Sequence, residues 1–151
     1  MPTNAERGEI VVVEDNPDDV KLALRAFRKA NADDQVTILR DGAEALEYLF
    51  CSGRYAHRRG EPPPRVVVLD LKLPLIDGLE VLRRVKADPQ TRMIPIVVMT
   101  SSSEARDMVN TYGLGANSYI QKPVDFASFT EVVRGISAYW LTVNQAPVLG
   151  L

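Results

Sequence analysis

The sequence predicts an α/β fold, a doubly wound (βα)5 sandwich built on a parallel five-stranded sheet. Short apolar runs alternate with longer amphipathic stretches from residue 9 onward, the pattern of parallel strands covered on both faces by crossover helices. The runs are rich in β-branched residues, as buried strands are. The length of 151 residues suits a single domain that buries about two-thirds of its unfolded surface. A content of 46% hydrophobic and 25% charged residues is the globular average and excludes disorder or fibrous repetition as descriptions of the whole.

The first unit pairs a strand over Glu9 to Val13 with a helix that Asn16 caps and Pro17 opens, burying Val20, Leu24 and Phe27. A second strand spans Gln35 to Leu39, and Asp41-Gly42-Ala43-Glu44 reads as a capping box before a helix with Ala45, Leu46 and Leu49 inward. The third strand, Arg65 to Leu69, ends in Asp70, and Asp77-Gly78 leads into a helix with Leu79, Val81, Leu82 and Val85 apolar. Strand four covers Ile94 to Met99, followed by a polar helix from about Ser103 to Tyr112. A short strand at Ser118 to Gln121 and a long helix from about Phe126 complete the series. Units of this size with right-handed crossovers give a flavodoxin-like order, 2-1-3-4-5, with ligands at the carboxyl ends of the strands. The core is expected over about 9–137, within one domain spanning 1–151 that carries a loop insertion at about 51–64 and an extended C-terminal segment at about 138–151.

The insertion, Cys51 to Pro64, breaks the rhythm. It has no period, three consecutive prolines and a basic cluster of Arg54, Arg58 and Arg59. It reads either as a solvated, proline-stiffened excursion or as a partner-recognition loop. Cys51 reads as a small apolar filler at a helix end and His57 as a solvated loop residue. One cysteine and one histidine exclude an intramolecular disulfide, a Cys/His zinc cage and a di-histidine metal site. The net charge of −2 leaves no excess of cations for coating nucleic acid. No stretch has the length of a membrane span and Met1 to Gly8 has no apolar signal core, so a cytoplasmic protein is expected.

Glu14 and Asp15 stand just past strand one, and Asp70 stands at the end of its neighbour, strand three. Three carboxylates at one edge repel one another and raise one another's pKa, so such a set is stable mainly around a cation. With oxygen ligands alone the expected ion is Mg²⁺, with Mn²⁺ as a substitute. Taken singly, Asp15 is an ordinary helix-start acid. Thr100 ends strand four and Lys122 follows strand five, which aims a hydroxyl and an ammonium at the same edge, the groups that bind a phosphoryl oxygen. Asp70 between them makes an aspartyl-phosphate site, with the carboxylate attacking in line.

The runs Val13-Glu14-Asp15-Asn16, Leu69-Asp70-Leu71-Lys72-Leu73-Pro74 with Asp77-Gly78, Met99-Thr100-Ser101-Ser102 and Tyr119-Ile120-Gln121-Lys122-Pro123 resemble the receiver domain of bacterial two-component response regulators. The resemblance covers about Glu9 to Gly135. It implies phosphorylation of Asp70 by a sensor histidine kinase, in a phosphoacceptor that assists only its own phosphorylation and dephosphorylation. It further implies Asp15 and Asp70 as metal ligands, Glu14 acting through water, and the Lys72 main-chain carbonyl as a further ligand. Thr100, the Ser101 N–H and Lys122 would hold the phosphoryl group, and Thr100 and Tyr119 would form the switch pair. Lys122-Pro123 matches the family's cis peptide. Lys72 and Ser102, each two residues past a site residue, are expected to govern how fast water reaches the phosphoryl group.

The chain ends soon after the fifth helix, so no output module is expected. The insertion and the Ala138-Tyr139-Trp140-Leu141 extension are similar to single-domain regulators paired with bacterial phytochrome kinases, which implies a bacteriophytochrome as kinase and a downstream phosphotransfer or effector protein as target. Phe129, Val133, Ile136, Tyr139 and Trp140, continued by Val143, give the last helix two apolar faces, and a sheet covers one. A homodimer through the fourth helix, fifth strand and fifth helix is therefore expected, with Trp140 as an anchor. The competing function is a phosphorylation-independent interaction module with the same fold. An aspartyl-phosphate phosphatase would need an acid where Lys72 stands, and an FMN site would need a phosphate-cradling loop where Glu14 and Asp15 repel phosphate.

Overall fold

The computed structural model describes residues 8–147. The extreme ends of the expected domain, 1–7 and 148–151, lie outside them. Five parallel strands in the order 2-1-3-4-5 form one sheet: β1 (Ile10–Val13), β2 (Val36–Leu39), β3 (Val66–Leu69), β4 (Ile96–Thr100) and β5 (Ser118–Gln121). The helices are α1 (Pro17–Lys29), α2 (Gly42–Phe50), α3 (Gly78–Ala87), α4 (Ala105–Gly113) and α5 (Phe126–Ala138).

The apolar runs fill both faces because strand side chains alternate. Val11, Val13, Val67, Leu69, Ile96 and Val98 point toward the core under α2 and α3, with Leu46, Leu49, Val81, Leu82 and Val85. Ile10, Val12, Val66, Val68, Val97 and Met99 point the other way, toward Ala23, Ala26 and Phe27 of α1 and Val133 and Ile136 of α5. Asn16 caps α1 through bonds from the Asp18 and Asp19 N–H groups at 2.9 and 3.2 Å. Asp41, Asp77 and Asp125 accept from the third residue of α2, α3 and α5 at 2.7, 2.9 and 2.9 Å. The box at α2 is displaced by one residue, since Glu44 reaches back to the Arg40 N–H at 2.8 Å rather than to that of Asp41.

Two starts differ from the sequence expectation by two residues, while β1, β2 and β3 each begin one residue later than expected and β4 ends one residue later. β4 begins at Ile96, not Ile94, because Pro95 has no N–H to give the ladder and Ile94 closes a turn on the Thr91 carbonyl. α4 begins at Ala105, not Ser103, because the Ser102 hydroxyl accepts the Glu104 N–H at 3.2 Å and holds the preceding turn open.

The insertion is not a structureless, solvated excursion. Cys51 ends α2 in the left-handed conformation, φ 52°, so it works as a half-buried cap rather than as core filler. A 3-10 helix, Gly53–Arg58, then folds back onto α2. Its last residue, Arg58, is 7% exposed, with its guanidinium 3.5 Å from the centre of the Tyr48 ring and one nitrogen donating to the Tyr48 carbonyl at 2.6 Å. Arg58 also pairs with Glu61 at 3.2 Å and Glu9 at 3.8 Å. Glu9 in turn accepts the Tyr48 hydroxyl and that of Thr37. Burial, reinforced by Glu9, pushes the Tyr48 phenol well above its ordinary pKa and keeps it a donor. Of the basic cluster, then, Arg58 faces inward and Arg54 is paired with Glu47 at 2.7 Å. His57 is exposed, as expected.

The C-terminal segment corrects the expected dimer face. Val133 and Ile136 are 1% and 6% exposed, buried against the domain's own sheet, because they fall on the stripe that α5 needs for its own core. α5 runs into a π-helical turn, Tyr139–Val143, in which Trp140 and Leu141 also pack back onto that core. Tyr139 and Val143 stay exposed, at 48% and 67%.

Replacing Arg58 by Ala removes a buried cation–π contact and leaves Glu9 without its guanidinium, so we expect a loss of about 2–3 kcal/mol in urea unfolding. Limited proteolysis within 51–61 should speed up in the same variant.

Candidate functional site

The site follows from register. Val13 lies level with Leu39 on one side and Leu69 on the other, so Glu14 and Asp70 leave the sheet together. The Asp70 N–H still donates to the Val13 carbonyl at 3.2 Å, and that of Glu14 to the Leu39 carbonyl at 2.9 Å. Thr100, the last residue of β4, pairs with Gln121, and the Lys122 amide donates to the Thr100 carbonyl at 2.6 Å. Four residues distant in sequence thereby arrive at one edge.

Lys122 is their meeting point. Its ammonium lies 2.8 Å from Glu14 Oε1, 3.3 Å from Asp70 Oδ2 and 3.4 Å from Asp19 Oδ2. Burial pushes the Glu14 carboxyl up, with Asp70 adding to the rise and Lys122 opposing it. For Lys122 burial works against the charge, but the bond to Glu14 and the charges of Asp70, Glu14 and Asp19 outweigh it and hold the ammonium above its usual pKa. Glu14 is buried and Asp15 exposed, so the two neighbours play different parts.

The loop after β3 carries Asp70 on a tight support. Asp70 Oδ1 accepts the Lys72 N–H at 3.1 Å, which leaves Oδ2 turned to Lys122. A methyl group on Gly78 would fall 2.2 Å from the Asp70 carbonyl oxygen, and one on Gly42 1.9 Å from that of Ile76, so both helix starts press on this loop as only glycine permits. Between them Leu75 is held at φ 68° and is 84% exposed. The Lys72 side chain is exposed.

The loop after β4 links the expected switch pair through Ser102. The Thr100 side chain is fully buried and its hydroxyl accepts the Ser102 N–H at 3.3 Å. Tyr119, half-buried against the core, donates its hydroxyl to the Ser102 carbonyl at 3.1 Å. Ser102 also donates its own hydroxyl to Asp107 at 2.6 Å. The sequence assigned Ser102 only a flanking place, and it missed Asp19. The signal for Asp19 was available, since a first-turn acid of α1 must lie beside the end of β1. No peptide bond among the described residues is cis, so Lys122–Pro123 is trans, the form X–Pro bonds favour by about 0.5–1 kcal/mol. Lys122 reaches the acids in that form.

The carboxylates that β1 and β3 carry to this edge, Glu14, Asp15 and Asp70, are hard oxygen donors. That chemistry suits Mg²⁺ or Mn²⁺ and no softer ion. Among the described residues no group of three or more acidic, His or Cys side chains is placed to hold a metal ion by itself. Mg²⁺ needs no such group, since it keeps several waters and takes one or two carboxylates.

Residues 10–134 match the response regulator receiver domain, and the chain belongs to that family. It is 40% identical over 138 residues to the probable methanogenesis regulatory protein FilR2 of Methanothrix harundinacea, covering 91% of this chain and 86% of that one. Response regulator Rcp1 of Synechocystis sp. is 35% identical over 138 residues, covering 91% and 92%, and its solved Mn²⁺-bound form superposes with a TM-score of 0.83 at 34% identity, covering 93% and 99%. The phosphorylated cyanobacterial phytochrome response regulator RcpA gives a TM-score of 0.84 at 36% identity, covering 93% of this chain and 99% of that one. The bacteriophytochrome response regulator AtBRR gives 0.72 at 44% identity, covering 95% and 98%. The protein is a receiver-domain response regulator, homologous along nearly its whole length to regulators that serve phytochromes.

The raised Lys122 value means that its stabilisation is complete below the usual lysine pKa and is lost only as pH rises through the folded one. Glu14, also raised, contributes stability below about 4.5 that is lost as pH rises through its folded value. Lys122→Met strips the cluster of its counter-charge. We expect it to unfold more easily at neutral pH by about 1–3 kcal/mol, with the gap closing as the carboxylates protonate; urea titrations between about pH 4 and 8 check this.

Proposed function

We propose that the protein is a phosphoacceptor switch that takes a phosphoryl group from a sensor histidine kinase onto Asp70. The observation that carries this reading is the Lys122 ammonium held between Asp70 and Glu14, on a residue whose amide is bonded to the carbonyl of the buried Thr100. A carboxylate oxygen of Asp70 attacks phosphorus in line as the bond to the donor's imidazole nitrogen breaks. Lys122, the Thr100 hydroxyl and the Ser101 N–H hold the phosphoryl oxygens as charge builds on them. Asp15 and Asp70, with the Lys72 carbonyl and with Glu14 acting through water, would hold Mg²⁺, which neutralises charge between the acids and the incoming group.

The added charge of about −1.5 to −2 draws Thr100 toward the phosphoryl group, and because Ser102 is bonded to both Thr100 and Tyr119, the ring moves with it. Lys72 and Ser102 set the access of water and so the lifetime of the phosphoryl group. The phytochrome regulators among its relatives support a bacteriophytochrome as the kinase and a separate phosphotransfer or effector protein as the target. A cytoplasmic setting belongs to the same proposal. A homodimer through α4, β5 and α5 stays part of it in altered form: Phe129, Tyr139 and Trp140 keep accessible surface, while Met108, Val109 and Tyr112 on α4 are exposed apolar residues that the sequence reading did not name.

Incubated with acetyl phosphate and Mg²⁺, the protein should gain one base-labile phosphoryl group by intact mass, and Asp70→Asn should gain none. Equal uptake by that variant would remove Asp70 from the role, and no uptake by the wild type would leave the phosphorylation-independent module. Glu14→Gln should weaken Mg²⁺ binding about tenfold in a metal titration and Asp15→Asn by more. Light scattering at micromolar concentration should give a dimer that Tyr139→Ala with Trp140→Ala converts to a monomer.

A further inference from the structure

Behind the acidic edge, between the sheet, α1 and α5, lies a cavity of about 250 Å³. Its walls are Val12, Ala23, Phe27, Val68, Met99 and Phe129, and Pro123 and Val124 bound it from the segment after β5. Its polar lining consists of Glu14, Asp19, Asp70, Asp125 and Lys122. A dry cavity of about 150 Å³ accommodates benzene, so this one has room for a single ring and a short alkyl arm. The lining counts four carboxylates against one ammonium, an excess of negative charge that favours a cation.

We propose that this cavity is a binding site for a small aralkylamine, its ring seated among Phe27, Val68 and Met99 and its ammonium donating to Asp19 and Asp70 at the rim. The ring loses water against walls that offer no polar partner. The ammonium adds positive charge that Lys122 alone does not supply to these acids. Val124, fully exposed beside the opening, leaves the way in uncovered. A bound amine would occupy Asp70, the residue proposed to accept phosphate, so the ligand would oppose both Mg²⁺ and phosphoryl uptake. This last consequence rests on the proposed function; the binding itself does not.

The test uses the full chain without metal and 2-phenylethylamine as the probe, followed by titration calorimetry and by methyl resonances of Val12, Val68 and Met99. Saturable one-to-one binding is expected, with shifts at those methyls and an affinity about tenfold or more above that for ethylamine or for neutral 2-phenylethanol, the difference a charge-assisted hydrogen bond makes. Asp19→Asn should weaken the amine and spare the alcohol, and Mg²⁺ should compete with the amine. Ala23→Leu should fill the cavity and abolish ring binding, and because it can unfold the protein, the methyl shifts in the wild type are the deciding measurement. Absent methyl shifts, equal affinity for ethylamine, or contacts of Val124 with Phe27 in the free protein that show the chain filling its own cavity would each overturn the proposal. Phosphoryl uptake measured without amine reads the proposed function separately.

Discussion

The ammonium of Lys122 is the charge on which the functional edge depends. Glu14 comes to that edge buried, because the strand it follows is buried on both faces, and a buried carboxylate beside Asp70 would shed its charge without a cation at hand. Lys122 supplies one from across the sheet, 2.8 Å away, through a residue whose amide is fixed to Thr100. The same contact ties β1, β3 and β5 together where their ladders have ended. One positive charge for three acids leaves the edge short of cations, and that deficit makes it receptive to a metal ion, and to other cations of the right shape.

Around this charge the backbone is pressed tight. Gly42 and Gly78 let two helix starts reach the loop that carries Asp70, and the loop absorbs the pressure by putting Leu75 in a conformation that costs an ordinary residue about 1–2 kcal/mol. A carboxylate that must meet phosphorus in line gains from such confinement. The loop after β4 is held differently, by hydrogen bonds that converge on Ser102 and can be exchanged for others, as a segment that has to move requires.

Most of this was legible in the sequence because it depends on local rules. Strand order, helix starts at Asn16, Asp41 and Asp77, and the arrival of Glu14, Asp15, Asp70, Thr100 and Lys122 at one edge all follow from apolar runs, caps and the handedness of crossovers. What escaped depends on which side chain turns which way. Composition made residues 51–64 look like a solvated excursion, since nothing local says that Arg58 lies flat on Tyr48, a contact set by the tertiary packing of α2. Spacing gave α5 two apolar faces but could not say which one the sheet would take, and Val133 and Ile136 went to the interior. The peptide before Pro123 is trans, although the motif pointed to cis.

The way Arg58, Tyr48, Thr37 and Glu9 share hydrogen bonds and charge bears on how this domain can be recombined. The insertion is bonded to the first residues of the fold, so it is not an appendage that a short turn could replace. Trimming it would bare the Tyr48 ring and leave Glu9 with hydroxyls alone to meet its charge. A chimaera that grafts this receiver core onto another regulator has to carry residues 51–61 together with Glu9, Thr37 and Tyr48, and a lineage that lost the insertion would have had to change all three.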